Sequence, residues 1–293
     1  MHGTLFEGDY VVINKLAYGA RLPLTPLSLD LAGKKKFVDW IKLPYFRFFG
    51  YSEIKRNDII AFNFDLSDQL PIDEREEYIK RCVAIPGDTI EIINSKVYVN
   101  RRLDEPFSVY KSYTVVSDHE LDTLLLKKLN IYQNSFSTDK RIYTLHMSAT
   151  QADSLYKLSH IKSISQQPLE KKVYHPSVYP NHPSFLWNND FFGPLYIPRK
   201  GDSILINKEN LILYQRTLER FENVKFSFKN DSIFINNKFL HYFLFNNSYF
   251  FMMGDNRYNS IDSRTFGFIP ESHIIGRTGM KFSTSHKWEL SLH

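Results

Sequence analysis

One local pattern recurs along this chain and limits what it can fold into: a turn that ends in aspartate and opens a β-rich run. It reads Glu7-Gly8-Asp9 before Tyr10-Val11-Val12-Ile13, and Arg56-Asn57-Asp58 before Ile59-Ile60-Ala61-Phe62. It returns as Pro86-Gly87-Asp88 before Thr89-Ile90-Glu91-Ile92, and as Lys200-Gly201-Asp202 before Ser203-Ile204-Leu205-Ile206. Glycine and asparagine reach positive φ, and the aspartate carboxylate bonds nearby backbone, so each unit reads as a turn that starts a strand. The recurrences are too short and too irregularly spaced for a solenoid. Aromatic residues make up 15% of the chain and suit a pleated surface, so the expected fold is mostly β.

Hairpins are predicted at Ile90–Ile93/Val97–Val99 around Asn94-Ser95, and at Ile233–Ile235/Phe239–Tyr242 around Asn236-Asn237. Helices are few. Ser117-Asp118-His119-Glu120 reads as a capping box opening Leu121–Leu129, and Thr150 as a cap for Gln151–Leu158. Leu211, Tyr214, Leu218 and Phe221 fall at helical spacing, which predicts a helix over Glu209–Glu222. The proline-, aromatic- and asparagine-rich stretch 166–198 reads as a long irregular loop region. The expected organisation is a discontinuous β core, 1–94 with 249–293, interrupted by a large mixed α+β insertion at 95–248.

Composition excludes several classes of function. Hydrophobic residues at 43% and charged residues at 24% exclude a wholly disordered chain. A net charge of +5 is weak support for nucleic acid, which is not expected as a partner, and is compatible with an anionic membrane surface. The single Cys82 excludes an internal disulfide and any multi-cysteine metal site. No metal site is legible among the histidines, and His241 and His273 read as structural or surface groups. No cofactor is expected: each Gly-Asp pair opens a strand, not the helix that a phosphate loop needs. The longest apolar run, Tyr249 to Met253, has five residues, against about 20 for a membrane span and about 7 to 15 for a signal-peptide core. The sequence as given is therefore expected to carry neither.

Two segments concentrate chemistry. In Glu77-Tyr78-Ile79-Lys80-Arg81-Cys82-Val83-Ala84-Ile85-Pro86-Gly87-Asp88, strand alternation puts Tyr78, Lys80 and Cys82 on one face, with Ile79, Arg81 and Val83 on the other. Lys80 then reads either as a desolvated amine or as an edge-strand lysine with its charge in water. In Met253-Gly254-Asp255-Asn256-Arg257-Tyr258-Asn259-Ser260-Ile261-Asp262-Ser263-Arg264, four charges and several amides and hydroxyls follow directly on an apolar run. That segment reads either as a solvated loop held by Asx turns and Asp–Arg pairs, or as a polar network beside an active site.

Together with the N-terminus these segments resemble type I signal peptidases, serine–lysine endopeptidases that remove signal peptides at membranes. Met1-His2-Gly3-Thr4-Leu5-Phe6-Glu7-Gly8-Asp9 is similar to the stretch that follows the family's nucleophilic serine, and Asn14–Pro23 continues the likeness. Tyr78–Asp88 is similar to the lysine segment and Gly254–Arg264 to the Gly-Asp-Asn-Arg segment, extended by Phe266–Pro270 and Ile275-Gly276. These motifs cover about 60 residues in the family's order. The departures are Gly3 where the family often has proline, and Asn57 where an Arg-Gly-Asp triplet would have glycine. The family's serine falls immediately before Met1, so the chain as given is expected to lack the nucleophile and the preceding anchor, and to be inactive.

The resemblance implies a Ser/Lys dyad with Lys80 as general base, oriented by Ser260. It implies an Asp262–Arg264 pair that holds the loop, with Asp255 and Arg257 doing similar work. It implies pockets for small side chains shaped by Met1, Leu5, Val11, Tyr78 and Ile79, with an extended substrate added beside the lysine strand. The implied partners are signal peptides of exported preproteins and a membrane lipid surface, and the implied location is the cytoplasmic membrane with the catalytic domain on its outer side. The aromatic and cationic run Trp40–Phe49, after Lys34-Lys35-Lys36, fits an interfacial anchor or an ordinary buried strand. The rival tasks are a catalytically inactive homologue that binds peptides, and a basic aromatic β module that binds single-stranded nucleic acid.

Overall fold

The computed structural model describes residues 5, 8–26, 28–31, 34–37, 42–66, 70–104, 109–129, 131–136, 141–166, 168–229, 232–282 and 288–290. The protein is mostly β, with several antiparallel sheets. All four recurrent turns have their Gly or Asn at positive φ: Gly8 at 92°, Asn57 at 72°, Gly87 at 94° and Gly201 at 90°. In three of them the aspartate carboxylate accepts the N–H three residues back: Lys55 to Asp58 (3.0 Å), Ile85 to Asp88 (2.9 Å) and Arg199 to Asp202 (2.7 Å). Asparagine tolerates this left-handed geometry, which is why Asn57 can stand where glycine was anticipated.

The strands that position the site are β1 (Tyr10–Asn14), β2 (Ile59–Phe64), β3 (Glu76–Ala84), β4 (Tyr249–Met253), β5 (Ile269–Pro270) and β6 (Ile274–Phe282). They form one antiparallel sheet in the order β1-β6-β2-β3-β4-β5, and Trp288–Leu290 pairs with β6. β2 is buried along its whole length. Its one polar side chain, Asn63, donates to the Arg75 carbonyl (3.1 Å) and accepts from Arg21. β4 is the five-residue apolar run, and both its faces are covered. Phe250 and Met252 enter a core with Ile60, Phe62 and Cys82, while Tyr249, Phe251 and Met253 enter a second core with Val83, Ile92 and Phe192. Each such fully buried side chain contributes about 1.5–3 kcal/mol.

The middle of the chain packs in two ways. Strands Lys111–Ser117, Tyr132–Phe136, Ile142–Met147 and Ile161–Ser165 form a separate sheet, and residues 115–161 supply a core of their own around Val115, Leu145 and Met147. Residues 178–245 instead share the second core of the main sheet through Val178, Phe192, Tyr214 and Phe243.

Several local expectations are corrected. The first helix runs Thr123–Lys128 and is capped by Asp122. Ser117 ends a strand instead: its N–H donates to the Arg141 carbonyl (2.9 Å) and its hydroxyl to the His160 carbonyl (3.2 Å), which ties it to the sheet and not to the helix. The second helix is Ala149–Tyr156, with Ser148, not Thr150, in a capping box with Gln151. The third, Lys208–Phe221, starts one residue earlier than predicted, at the Asn207 cap. The 94–95 hairpin forms as expected, with Asn94 and Ser95 both at positive φ. At 236–237 the return strand is only Lys238–Phe239, because Tyr242–Leu244 pairs with Ser203–Leu205. The end of the anticipated loop region is a strand, Phe191–Tyr196, paired with Thr89–Ile93.

Candidate active site

The site is built on β3. β2 pairs with β3 from Glu76 to Arg81, whereas β4 pairs with it only from Arg81 to Ala84. Beyond Met253 the chain leaves the sheet, so on that side no strand among the described residues pairs with Glu76–Lys80. Lys80 sits at this boundary and is only 9% exposed. The reading of an edge lysine with its charge in water is therefore excluded. Its Nζ lies 3.0 Å from the Ser260 Oγ and 6.0 Å from the centre of the Tyr78 ring. Burial holds the Lys80 amine below the ordinary 10.5; Asp262 and Asp255 counter this shift and Arg264 adds to it, but burial is the largest cause.

The loop after β4 can approach Lys80 only because residue 254 is glycine. A Cβ there would stand 2.2 Å from the Ser260 Oγ and 2.7 Å from its Cβ. Two buried charge pairs fasten the loop. Asp262 caps the short helix Ser263–Phe266; its Oδ1 accepts from Arg264 Nε (2.9 Å), and its Oδ2 from Arg264 Nη2 (2.8 Å) and the Gly254 N–H (3.0 Å). Burial alone would raise the Asp262 carboxyl, but the charge and hydrogen bonds of Arg264, with the Gly254 N–H and Lys80, outweigh it and hold it below its usual range. Arg264 also donates to the Arg257 carbonyl (2.6 Å), which closes the loop on itself.

The second pair was not legible beforehand. Arg81 reaches the opposite face from Lys80, as strand alternation requires, and its Nε and Nη2 make a two-pronged contact with Asp255 at 2.8 and 2.7 Å. Its Nη1 donates to the Asn57 carbonyl (2.9 Å). Asp255 therefore has a cation from β3 as its partner, and the Arg257 Nη1 lies 3.9 Å from the Met253 sulfur. A further brace comes from Tyr110, whose N–H donates to the Asp255 carbonyl (2.8 Å) and whose carbonyl accepts from the Arg257 N–H (3.1 Å). Nothing in the sequence around Tyr110 signalled this.

Of the residues expected to shape pockets, Met1 lies outside the described residues. Leu5, Val11, Tyr78 and Ile79 are each partly exposed apolar groups, and the Tyr78 ring stacks on Phe62 at 6.0 Å. Among the described residues there is no group of three acidic, histidine or cysteine side chains placed to hold a metal. His273 is buried against Arg75 (3.1 Å), and desolvation together with Arg75, Arg21 and Arg220 lowers it to about 3, so it stays neutral and structural. His241 is exposed, edge-on to Phe239. Trp40 and Ile41 lie outside the described residues; Tyr45, Phe46, Phe48 and Phe49 are exposed, Phe49 completely, beside a cavity of about 490 Å³. No helix among the described residues is long and apolar enough to cross a membrane.

Fold and site together define a class of mostly β proteins organised round a buried lysine–serine contact that two carboxylate–guanidinium pairs hold in place. The family model described as signal peptidase, peptidase S26, matches residues 1–154 and 197–283, and the chain belongs to that family. It is 24% identical over 287 residues to Signal peptidase I of Buchnera aphidicola subsp. Baizongia pistaciae, covering 94% of this chain and 64% of that protein. To Signal peptidase I of Buchnera aphidicola subsp. Acyrthosiphon pisum it is 22% identical, covering 94% and 63%. A shorter match, 31% over 128 residues, joins 44% of the chain to 41% of Signal peptidase I of Rickettsia felis. The chain thus spans a little under two thirds of the length of the two Buchnera relatives.

Proposed function

We propose that the protein acts as a signal peptidase I, cutting signal peptides from exported preproteins with a serine that precedes Met1 as nucleophile and Lys80 as its base. The observation that carries this reading is the buried Lys80 amine, 3.0 Å from the Ser260 hydroxyl and short of its ordinary basicity. At an ordinary pKa, less than about 1% of a lysine is neutral at pH 8, so a lysine base has to be desolvated. The neutral amine takes the serine proton as the oxygen attacks the scissile carbonyl. The resulting ammonium gives that proton to the departing amine, and water then hydrolyses the acyl-enzyme with the same lysine as base. Ser260 orients Nζ, and the Asp262–Arg264 and Asp255–Arg81 pairs keep the loop in register with β3.

An extended substrate adds as a strand along Glu76–Lys80, where β4 leaves β3 uncovered. Met1, Leu5, Val11, Tyr78 and Ile79 wall pockets for small side chains at the first and third positions before the cut. Apolar walls of this kind reject charged or large groups more firmly than they separate alanine from glycine. The exposed aromatics Tyr45–Phe49 rest on the membrane, with the catalytic core on its outer face.

The test compares the 293-residue polypeptide with one that carries a serine-ending segment ahead of Met1. Only the second is expected to process a preprotein. Cleavage by the first displaces the nucleophile, and peptide binding without cleavage by either one favours a binding module. In the serine-bearing chain, Gly254→Ala drives the Ser260 hydroxyl away from Nζ. Its kcat is expected to fall by about a hundredfold, since a misplacement near 1 Å has that cost; steady-state kinetics within twofold of the parent would discount the close approach.

A further inference from the structure

The stretch 155–196 lies outside the family match, yet it reaches the loop that carries Ser260. Asp190 is 1% exposed, and its carboxylate accepts from Ser95 Oγ (2.7 Å), the Leu169 N–H (2.8 Å) and the Tyr258 hydroxyl. Its own backbone is pinned. The Asp190 N–H donates to Asn188 Oδ1 (3.0 Å) and its carbonyl accepts the Ser95 N–H (3.0 Å). Asn188, also buried, donates to the carbonyls of Glu170 (2.9 Å) and Val173 (3.0 Å). Tyr258 sits two residues before Ser260, its ring stacked over His146 at 6.3 Å. Asp190 and Tyr258 line one small cavity together with Arg257 and Arg264.

We propose that Asp190 is a positioning residue for the reaction: acting through the Tyr258 hydroxyl, its carboxylate sets where the loop holds Ser260 against Lys80. The inference rests on the reading of Lys80 as the base. The physical ground is that a buried carboxylate tied to three donors resists displacement, because losing any one leaves charge uncompensated in a poorly solvated place. Tyr258 therefore has one favourable position for its hydroxyl. With Tyr258 held by Asp190 before it and Asp262 held by Arg264 and the Gly254 N–H after it, Ser260 is fixed from both sides. Lys80 feels the outcome directly, since its surroundings are Ser260, the Tyr78 ring, Asp262, Asp255 and Arg264. A looser loop admits water to the amine and returns it toward ordinary basicity.

Tyr258→Phe keeps the ring and deletes only the hydroxyl. Two readouts apply: the Lys80 titration, followed by NMR on carbon-13 lysine in the 293-residue chain, and steady-state kinetics of the serine-bearing chain. The expected result is a Lys80 titration raised by about one pH unit, kcat down about tenfold and KM unchanged. Asp190→Asn, which keeps an acceptor for Tyr258, is expected to retain more activity than Asp190→Ala. A lower melting temperature with both readouts at parent values makes the contact merely structural and overturns the proposal. If Lys80→Ala keeps turnover, the base assignment fails, while the Lys80 titration still decides the role of Asp190.

Discussion

Lys80→Ala in the serine-bearing chain is expected to cut turnover about a thousandfold or more, with the far-ultraviolet dichroism of the parent retained. Loss of a general base costs 10² to 10⁴ in rate, and no second amine is hydrogen-bonded to Ser260 among the described residues. The pH dependence follows from the sign of the shift. Burial lowers the Lys80 pKa, so the neutral base accumulates below the ordinary 10.5, and the acid limb of kcat/KM falls there. Stability moves the same way. Between the folded and the unfolded pKa the unfolded chain binds more protons, so stability rises with pH across that window. Lys80→Met should flatten that rise in denaturant midpoints measured from pH 7 to 10. Full turnover in Lys80→Ala, or an acid limb that stays in the alanine variant, removes this lysine from the mechanism.

Arg81→Met is expected to be the most destabilising single change near the site. The Asp255 carboxylate is fully buried, and the guanidinium is its two-pronged partner. Removing one member of such a pair strands the other charge, at a cost of about 3–5 kcal/mol. For a chain of this size that is about 10 °C in melting temperature. Arg81→Met combined with Asp255→Leu should recover most of the loss, because two apolar groups of similar volume leave no unpaired charge. A single variant that melts within 2 °C of the parent, or a double variant no better than the single, would refute the pair as the clamp between β3 and the loop.

The turn units were legible because they are closed locally: in all four a Gly or Asn takes positive φ, and in three an Asp carboxylate meets an N–H three positions back. Strand alternation in the lysine segment was legible for the same reason, since side-chain direction along a strand is a local property. It separated Lys80 from Arg81 correctly. The cap of the first helix was misread because Ser117 found partners far along the chain, the carbonyls of Arg141 and His160, that no local pattern contains. The cap of the second was local all the same: Ser148 and Gln151 form the box three residues apart, two positions before the Thr150 that was expected to cap it. The true strand partner of Tyr242–Leu244 was hidden as the partners of Ser117 were: Ser203–Leu205 lies about 40 residues away and pairs through backbone groups common to every residue.

By itself the sequence determined the β character, the turns, the family and the pair of segments that meet at the site, because these depend on spacing and side-chain chemistry along the chain. Tertiary structure alone decided that Lys80 is buried, that Arg81 grips Asp255, and that Tyr110 and Asp190 hydrogen-bond to the loop from the middle of the chain. Desolvation is a property of what surrounds an atom in space. The groups that exclude water from the Lys80 amine come from positions as far apart as Tyr78, Gly254 and Ser260, so only the folded chain could bring them together.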